Sequence, residues 1–136
     1  MSLVCTGFIP IPPGANPGFD HADVFPPGLR LYVAHTGADR IEVLDCATRS
    51  YMHALSAELP SVAGVLIDEQ HDLLFSSDRA AARVSVFRCS DEQLFGQVEV
   101  GPHPNGLAYD RQTDRAAAVQ LQSRPTGRRE LHRLRG

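Results

Sequence analysis

The side chains best suited to chemistry are histidine, aspartate and asparagine residues that stand in polar turns. Imidazole nitrogen and carboxylate oxygen bind divalent metals, and the same groups transfer protons in general acid–base catalysis. The candidate ligand-binding residues are His21, His35, Asp39, Asp78, His103 and Asn105. The competing interpretation is structural, because Asp and His in solvated loops often do no more than hydrogen-bond the backbone of a turn.

No recognised catalytic motif accompanies these residues. The sequence contains no Gly-x-Ser-x-Gly, no phosphate-binding loop, no dinucleotide fingerprint and no His-Glu-x-x-His. The acidic turns at 68–72 and 110–114 lack the ligand count and glycine spacing of an EF-hand loop. Cys5, Cys46 and Cys89 lack metal-type spacing. We therefore assign no catalytic residue, no metal ligand and no cofactor from the sequence.

The candidate residues follow an internal repeat. Segments that begin at His21, Gly64 and Gly106 align with offsets of 43 and 42 residues. Within this alignment His35 and Asp78 occupy equivalent positions in successive units. A regular period of this length indicates a stack of similar supersecondary units.

Each unit contains short strand patterns separated by turn signals. Segments 40–45 (RIEVLD) and 83–88 (RVSVFR) alternate apolar and polar residues, as a half-buried strand does. Four short antiparallel strands in roughly 42 residues are typical of a β-propeller blade. We therefore predict an all-β fold, an incomplete β-propeller with four-stranded antiparallel blades that repeat every 42–43 residues.

This prediction divides the chain into three parts. Residues 1–18 are a leader rich in proline and glycine, and residues 19–120 are the partial propeller. Its blades cover about 20–57, 63–100 and 106–120, and only two strands are recognisable in the third. Residues 121–136 form a basic tail without a strand pattern.

Segment 101–115, GPHPNGLAYDRQTDR, resembles the blade junction of YVTN-repeat propellers, the YncE-like group. The matching residues are Gly101, Pro104 and Gly106, and segment 31–48 is similar to the strand–turn–strand of that family, with His35 in place of the usual Asn. The resemblance covers about residues 19–119. It implies a non-catalytic binding or scaffold module. The alternative is a hydrolase of the gluconolactonase-like, lactonase-type propellers, in which strands and turns follow one another at a similar spacing.

A closed propeller needs about four to eight blades, which at this period is at least about 170 residues. The 136 residues of this chain supply about two and a half units. Three explanations remain open: a fragment or a truncated or frameshifted form of a longer propeller, a ring assembled with copies or a partner, and an open sheet that is stable alone. Open blade edges favour self-association.

In a propeller the candidate residues come from loops that surround one end of the channel, so we expect an unknown ligand to bind there. No apolar run reaches the ~18 residues of a membrane helix. The beginning of the chain is not typical of a secretory signal, which predicts a cytoplasmic protein, or a periplasmic one if the true N-terminus lies elsewhere. Residues 116–136 carry 5 Arg and 1 Glu but no aromatic residue, so nucleic-acid binding is not expected.

Overall fold

The structure is a computed structural model that describes residues 1–121 and the backbone of residues 131–135. Its strands form three antiparallel sheets in which strands adjacent in the chain pair with each other. Sheet one comprises β1 (Ala22–Phe25), β2 (Arg30–His35), β3 (Arg40–Asp45) and β4 (Ser50–Ala54). Sheet two comprises β5 (Val62–Asp68), β6 (Leu73–Asp78), β7 (Arg83–Arg88) and β8 (Leu94–Glu99). Sheet three comprises β9 (Pro104–Asp110), β10 (Arg115–Gln120) and β11 (Leu131–Arg135).

The predicted all-β, incomplete β-propeller is confirmed, since successive four-stranded meanders repeat and the described sheets do not close a ring. Helical structure among the described residues is limited to 3₁₀ turns of three residues, and none of them has the length or hydropathy of a membrane span.

The third unit contains one strand more than the sequence pattern indicated. Strand β11 pairs with β10, with Ala117 opposite Arg133, in a region for which no strand was predicted. The segment LHRLR has leucine at its first and fourth positions, so it lacks the two-residue alternation that identifies strands in sequence. The rest of the predicted basic tail, 122–130 and 136, lies outside the described residues.

The repeat extends to the backbone conformation of the turns. Nine non-glycine residues have φ between 50° and 59°, in the left-handed region that L-residues adopt only at a cost. They are equivalent turn positions of successive units: Leu29, Asp72 and Asp114; Asp39 and Ala82; Arg49 and Glu92; Ser61 and His103. Because costly conformations recur at the same offsets, the units have the same local structure as well as the same strand order.

The sheets are held together face to face by apolar side chains. One cluster joins sheets one and two through Tyr32, Ile41 and Val43 on one side and Leu74 and Phe87 on the other. A second cluster joins sheets two and three and contains the buried residues Phe75, Val84, Ala116 and Ala118. Burying each large apolar side chain contributes about 1.5–3 kcal/mol, so these interfaces provide the main stabilisation of the stack.

The leader lies against sheet one at the end where β2 turns into β3. The N–H of Asn16 donates to the carbonyl of Gly37 at 3.1 Å, and the N–H of Gly37 donates to Gly18 at 3.1 Å. A Cβ at position 37 would lie 1.8 Å from the Asn16 carbonyl oxygen, so this close approach requires glycine. In sheet two the linker 55–61 takes the same place, with the N–H of Ala80 bonded to Pro60 at 3.2 Å.

Candidate functional site

The meander topology places the predicted site residues at one end of the stack. We call this end the loop face; it is formed by the β2–β3 and β6–β7 turns, the leader and the two linkers between sheets. All six predicted residues lie there, at strand ends or in the loops themselves: His21, His35, Asp39, Asp78, His103 and Asn105. The opposite end, formed by the β1–β2, β3–β4, β5–β6, β7–β8 and β9–β10 turns, is the turn face.

Arg79 joins residues from sheets one and three on the loop face. Its Nη2 donates to Asp20 Oδ2 at 2.8 Å, and its Nε donates to Asn105 Oδ1 at 3.0 Å. Asp20, Ala63 and Asn105 are equivalent positions in the three successive units. Asp20 precedes β1, and Asn105 is the second residue of β9. Arg79 was not among the predicted site residues, although it follows Asp78 directly, because its two partners are 59 and 26 residues away in the chain.

Two histidines remain available to solvent on this face. His21 Nδ1 lies 2.6 Å from Asp20 Oδ1, and the His21 side chain is 51% exposed. His103 is exposed in the linker that leads to β9. The loop face therefore presents two exposed imidazoles and a guanidinium that is held between a carboxylate and an amide.

His35 does not face solvent from an open turn as expected; it lies beneath the leader, where it lines a cavity of about 250 Å³ with Phe19 and Pro12. It is 2% exposed, stacks on Phe19 with 4.3 Å between ring centroids, and its Nδ1 lies 2.7 Å from Glu42 Oε1. Glu42 also accepts from Arg40 Nε at 2.6 Å and from the Tyr51 hydroxyl at 3.0 Å. Burial disfavours the charged carboxylate, but hydrogen bonds from these three partners outweigh it and lower the pKa of Glu42.

Asp78 is likewise buried and fully engaged. Its Oδ2 accepts from Arg83 Nε at 2.9 Å and from Ser85 Oγ at 2.6 Å, and its Oδ1 accepts from Ser76 Oγ at 2.9 Å. Asp39 is exposed, but its Oδ1 accepts from the N–H of Ser61 at 2.7 Å. Asp78 therefore forms a buried ion pair with Arg83, and Asp39 caps the loop that contains Ser61.

A different cluster lies on the turn face, where the sequence predicted only tight turns. His71 Nδ1 lies 2.5 Å from Asp68 Oδ2 and 3.6 Å from Asp114 Oδ1. The Tyr109 hydroxyl donates to Asp114 and lies 3.3 Å from His71 Nδ1. The hydrogen bond with Asp68 raises the pKa of His71, and the bond to Asp114 raises the pKa of Tyr109. Asp68 and Asp114 come from different units, so no local spacing signals their convergence.

Glu92 connects sheets one and two on the turn face. Its Oε1 accepts from Arg30 Nη1 at 2.6 Å and from the Tyr32 hydroxyl at 3.1 Å, and its Oε2 contacts His53 Nε2. His53 of β4 is thus part of a contact between units. Nearby Cys89 is buried, and this burial raises the pKa of its thiol to about 12. A group with that pKa is a poor nucleophile, so the cysteine acts as a core residue.

Comparison with known proteins shows the fold and no family. No protein-family model matches the sequence, and no curated protein matches it. A chain of hydrazine synthase from Kuenenia stuttgartiensis superimposes with a TM-score of 0.68 at 17% sequence identity. The match covers 76% of this chain and 29% of that chain, so the protein spans less than a third of the length of that neighbour. At this identity the likeness establishes a β-propeller-like fold and nothing about chemistry.

Proposed function

We propose that this protein is a non-catalytic binding or scaffold module whose ligand surface is the loop face. The observation that carries the proposal is the link from Asp20 through Arg79 to Asn105, which connects the entrances of two non-adjacent sheets. These polar groups are held in place by the fold, and His21 and His103 expose their imidazoles on the same face. A preorganised polar surface of this kind binds with little loss of side-chain entropy.

We also propose that the chain is related to the YVTN-repeat, YncE-like propellers. Support comes from the junction residues Gly101, Pro104 and Gly106, which precede or begin β9. His103 within this junction has a φ of 53°, as does Ser61 at the previous junction. The recurrence indicates that the two junctions turn in the same way, although of the three motif residues only the last glycine recurs at the previous junction, as Gly64.

The lactonase alternative has less support from the described residues. A hydrolase needs a base or a metal that faces its substrate, whereas Asp78 is buried and accepts three hydrogen bonds, and His35 is buried with its Nδ1 bonded to Glu42. His21 and His103 are the exposed histidines of the loop face that can serve such a reaction. We expect no hydrolysis of D-glucono-1,5-lactone above the uncatalysed rate, with or without added Zn²⁺ or Ca²⁺. Hydrolysis that disappears in His21→Ala or His103→Ala would replace the binding-module proposal.

The binding proposal is tested by NMR with ¹⁵N-labelled protein and a library of small carboxylic acids, amides and sugars. We expect ligands from this library to shift the signals of the Arg79 guanidinium and the Asn105 side-chain amide together. Arg79→Ala is expected to abolish the shifts, and Arg111→Ala, an exposed arginine on the turn face, is the matched control. Shifts confined to the turn face, or none at all across the library, would contradict the proposal.

A further inference from the structure

We propose that Asp68, His71 and Asp114 form a binding site for one first-row divalent cation of the zinc type, which bridges sheets two and three. The site lies on the turn face, at the opposite end of the stack from the proposed ligand surface. The proposal of this metal site does not depend on the proposed function of the loop face.

The geometry of the three side chains supports a single shared ion. One ligand atom from each residue lies within 4.8 Å of the other two, a spacing that one ion bound at about 2.0–2.2 Å from each ligand can span with small side-chain rotations. Asp68 is at the end of β5 and is 2% exposed, so it provides a fixed point. His71 and Asp114 lie in the turns that follow β5 and β9, and their side chains are 42% and 63% exposed. An ion can therefore enter from solvent and meet a rigid carboxylate.

The donor set selects the class of metal. One imidazole nitrogen and two carboxylate oxygens suit zinc and neighbouring first-row divalent ions, whereas Mg²⁺ and Ca²⁺ prefer six or more oxygen ligands. Three protein ligands with an open position are also the pattern of zinc sites that keep an exchangeable ligand. The Tyr109 hydroxyl contacts Asp114 Oδ1 and His71 Nδ1, the two atoms that would bind the ion, so it lies where it can give up these contacts to the ion or join its ligands.

A cavity beside the cluster leaves room for further ligands of the ion. It measures about 290 Å³ and is lined in part by His71, Tyr109 and Asp114, together with Asp72. One oxygen of Asp72, Oδ1, is buried without a hydrogen-bond partner among the described residues. Buried polar atoms are normally satisfied, so we expect this oxygen to bind a water molecule from the cavity; Asp72 is not one of the three residues that converge on the proposed ion.

The two carboxylates also create a need for positive charge. Asp68 Oδ2 and Asp114 Oδ1 both approach the same nitrogen of His71, which can donate only one proton between them. A divalent cation at their common centre compensates both negative charges and takes the place of that proton. Because the ligands come from two units, binding favours the packed arrangement of sheets two and three and stabilises the folded protein.

The experiment uses the full chain, freed of metal by a chelator, and Zn²⁺ or Co²⁺ as the probe. We expect one equivalent of Zn²⁺ in isothermal titration calorimetry, a visible absorption band with Co²⁺, and a higher Tm with Zn²⁺ than with Mg²⁺. Loss of a residue that only orients a ligand costs about 10–100-fold in metal affinity, so His71→Ala and Asp114→Asn should each weaken Zn²⁺ binding at least tenfold.

Matched controls separate this site from the other histidines and turns. His103→Ala removes an exposed histidine from the loop face, and Asp39→Asn changes an exposed aspartate with a similar left-handed backbone, φ 54° against 57° for Asp114. Both should leave the affinity for Zn²⁺ unchanged. Failure to bind Zn²⁺, unchanged affinity in His71→Ala and Asp114→Asn, or loss of binding in His103→Ala or His21→Ala would each overturn the proposal. Circular dichroism confirms that the variants fold.

Discussion

Sheets one and two each bury one carboxylate against an equivalent arginine, but the carboxylate sits on different strands. Arg40 binds Glu42 of β3 in sheet one, whereas Arg83 binds Asp78 of β6 in sheet two. In both cases the arginine Nε donates to an acid that would be costly to bury alone. His35 and Asp78 are equivalent in sequence. In sheet one His35 is a hydrogen-bond partner of the buried acid Glu42, whereas in sheet two Asp78 is itself the buried acid. Both sheets therefore contain a pair between an arginine and a buried carboxylate, but different positions supply the carboxylate.

The lowered pKa of Glu42 predicts how stability depends on pH. A carboxyl group whose pKa is lowered by folding stabilises the protein above its ordinary value of 4.5, and that contribution is lost as pH falls below this value toward the lowered one. Glu42→Gln should therefore reduce the free energy of unfolding by about 2 kcal/mol at neutral pH, and by less at about pH 3. Urea unfolding at the two pH values measures the difference, with exposed Glu58→Gln as control. A Glu42→Gln deficit that does not shrink in acid would contradict the assignment.

At the scale of elements, the turns contain strain that substitution can relieve. Ala82 ends the 3₁₀ turn Arg79–Ala81 with φ 50°, a conformation glycine adopts without steric cost. The left-handed region costs an L-residue about 1–2 kcal/mol, and glycine costs about 0.5–1 kcal/mol in chain entropy. Ala82→Gly should therefore raise the free energy of unfolding by up to about 1 kcal/mol.

The matched control for that substitution is Ala81→Gly, one residue earlier, where φ is not positive. This variant bears the entropy cost without relief of strain, so it should lower the free energy of unfolding by about 0.5–1 kcal/mol. The denaturant midpoints of the two variants show directly whether each substitution raises or lowers the free energy of unfolding. Equal destabilisation by both would show that the turn does not hold the left-handed conformation in solution.

The β7–β8 turn has a second role, because it carries the residue that ties sheet two to sheet one. Glu92 receives hydrogen bonds or ionic contacts from Arg30, Tyr32 and His53. Glu92→Gln removes the charge that pairs with Arg30 and should lower the free energy of unfolding by about 2 kcal/mol. Adjacent Asp91 pairs with Arg88 on the surface, so Asp91→Asn should cost less than about 1 kcal/mol. Chemical denaturation distinguishes them, and equal effects would contradict a role of Glu92 between sheets.

At the scale of the whole molecule, the repeat predicts that the buried polar network of one unit can replace the equivalent network of another unit and stabilise it. Asp78 stands opposite Arg83 across β6 and β7, as His35 stands opposite Arg40 across β2 and β3. Glu42→Ser alone leaves Arg40 without its carboxylate and should cost about 3 kcal/mol. The double variant His35→Asp/Glu42→Ser recreates the sheet-two arrangement in sheet one.

We expect this double variant to recover at least half of the stability that Glu42→Ser loses. Urea unfolding of the wild type, the single variant and the double variant gives the comparison. A double variant no more stable than the single one would show that the leader, which covers sheet one, does not provide the surroundings that the linker 55–61 provides for sheet two. In that case the two units would have the same backbone structure, but their buried polar residues could not be exchanged.

The candidate site was predictable in part. The positions of His21 and His103 before strands, and of Asn105 at the start of β9, follow from the strand pattern, whereas ligand binding by these residues stays a prediction. The burial of His35 and Asp78 was not predictable, because it depends on the leader and the linker 55–61 lying across the ends of β2 and β6. Arg79 and the Asp68, His71 and Asp114 cluster were not predicted either, since their partners come from other units.

The sequence by itself determined the strands of the first two units, their antiparallel order and their period. Those properties arise from alternation within about six residues and from turn residues at fixed offsets, which are local and repeat along the chain. Only the tertiary structure decided which polar residues are buried in pairs, which face solvent, and which meet across two sheets. The links between sheets join residues 26 to 62 positions apart. The buried pairs, such as His35 with Glu42 and Asp78 with Arg83, are close in the chain, but they are buried only because the leader and the linker 55–61 lie across them, and no local pattern contains that information.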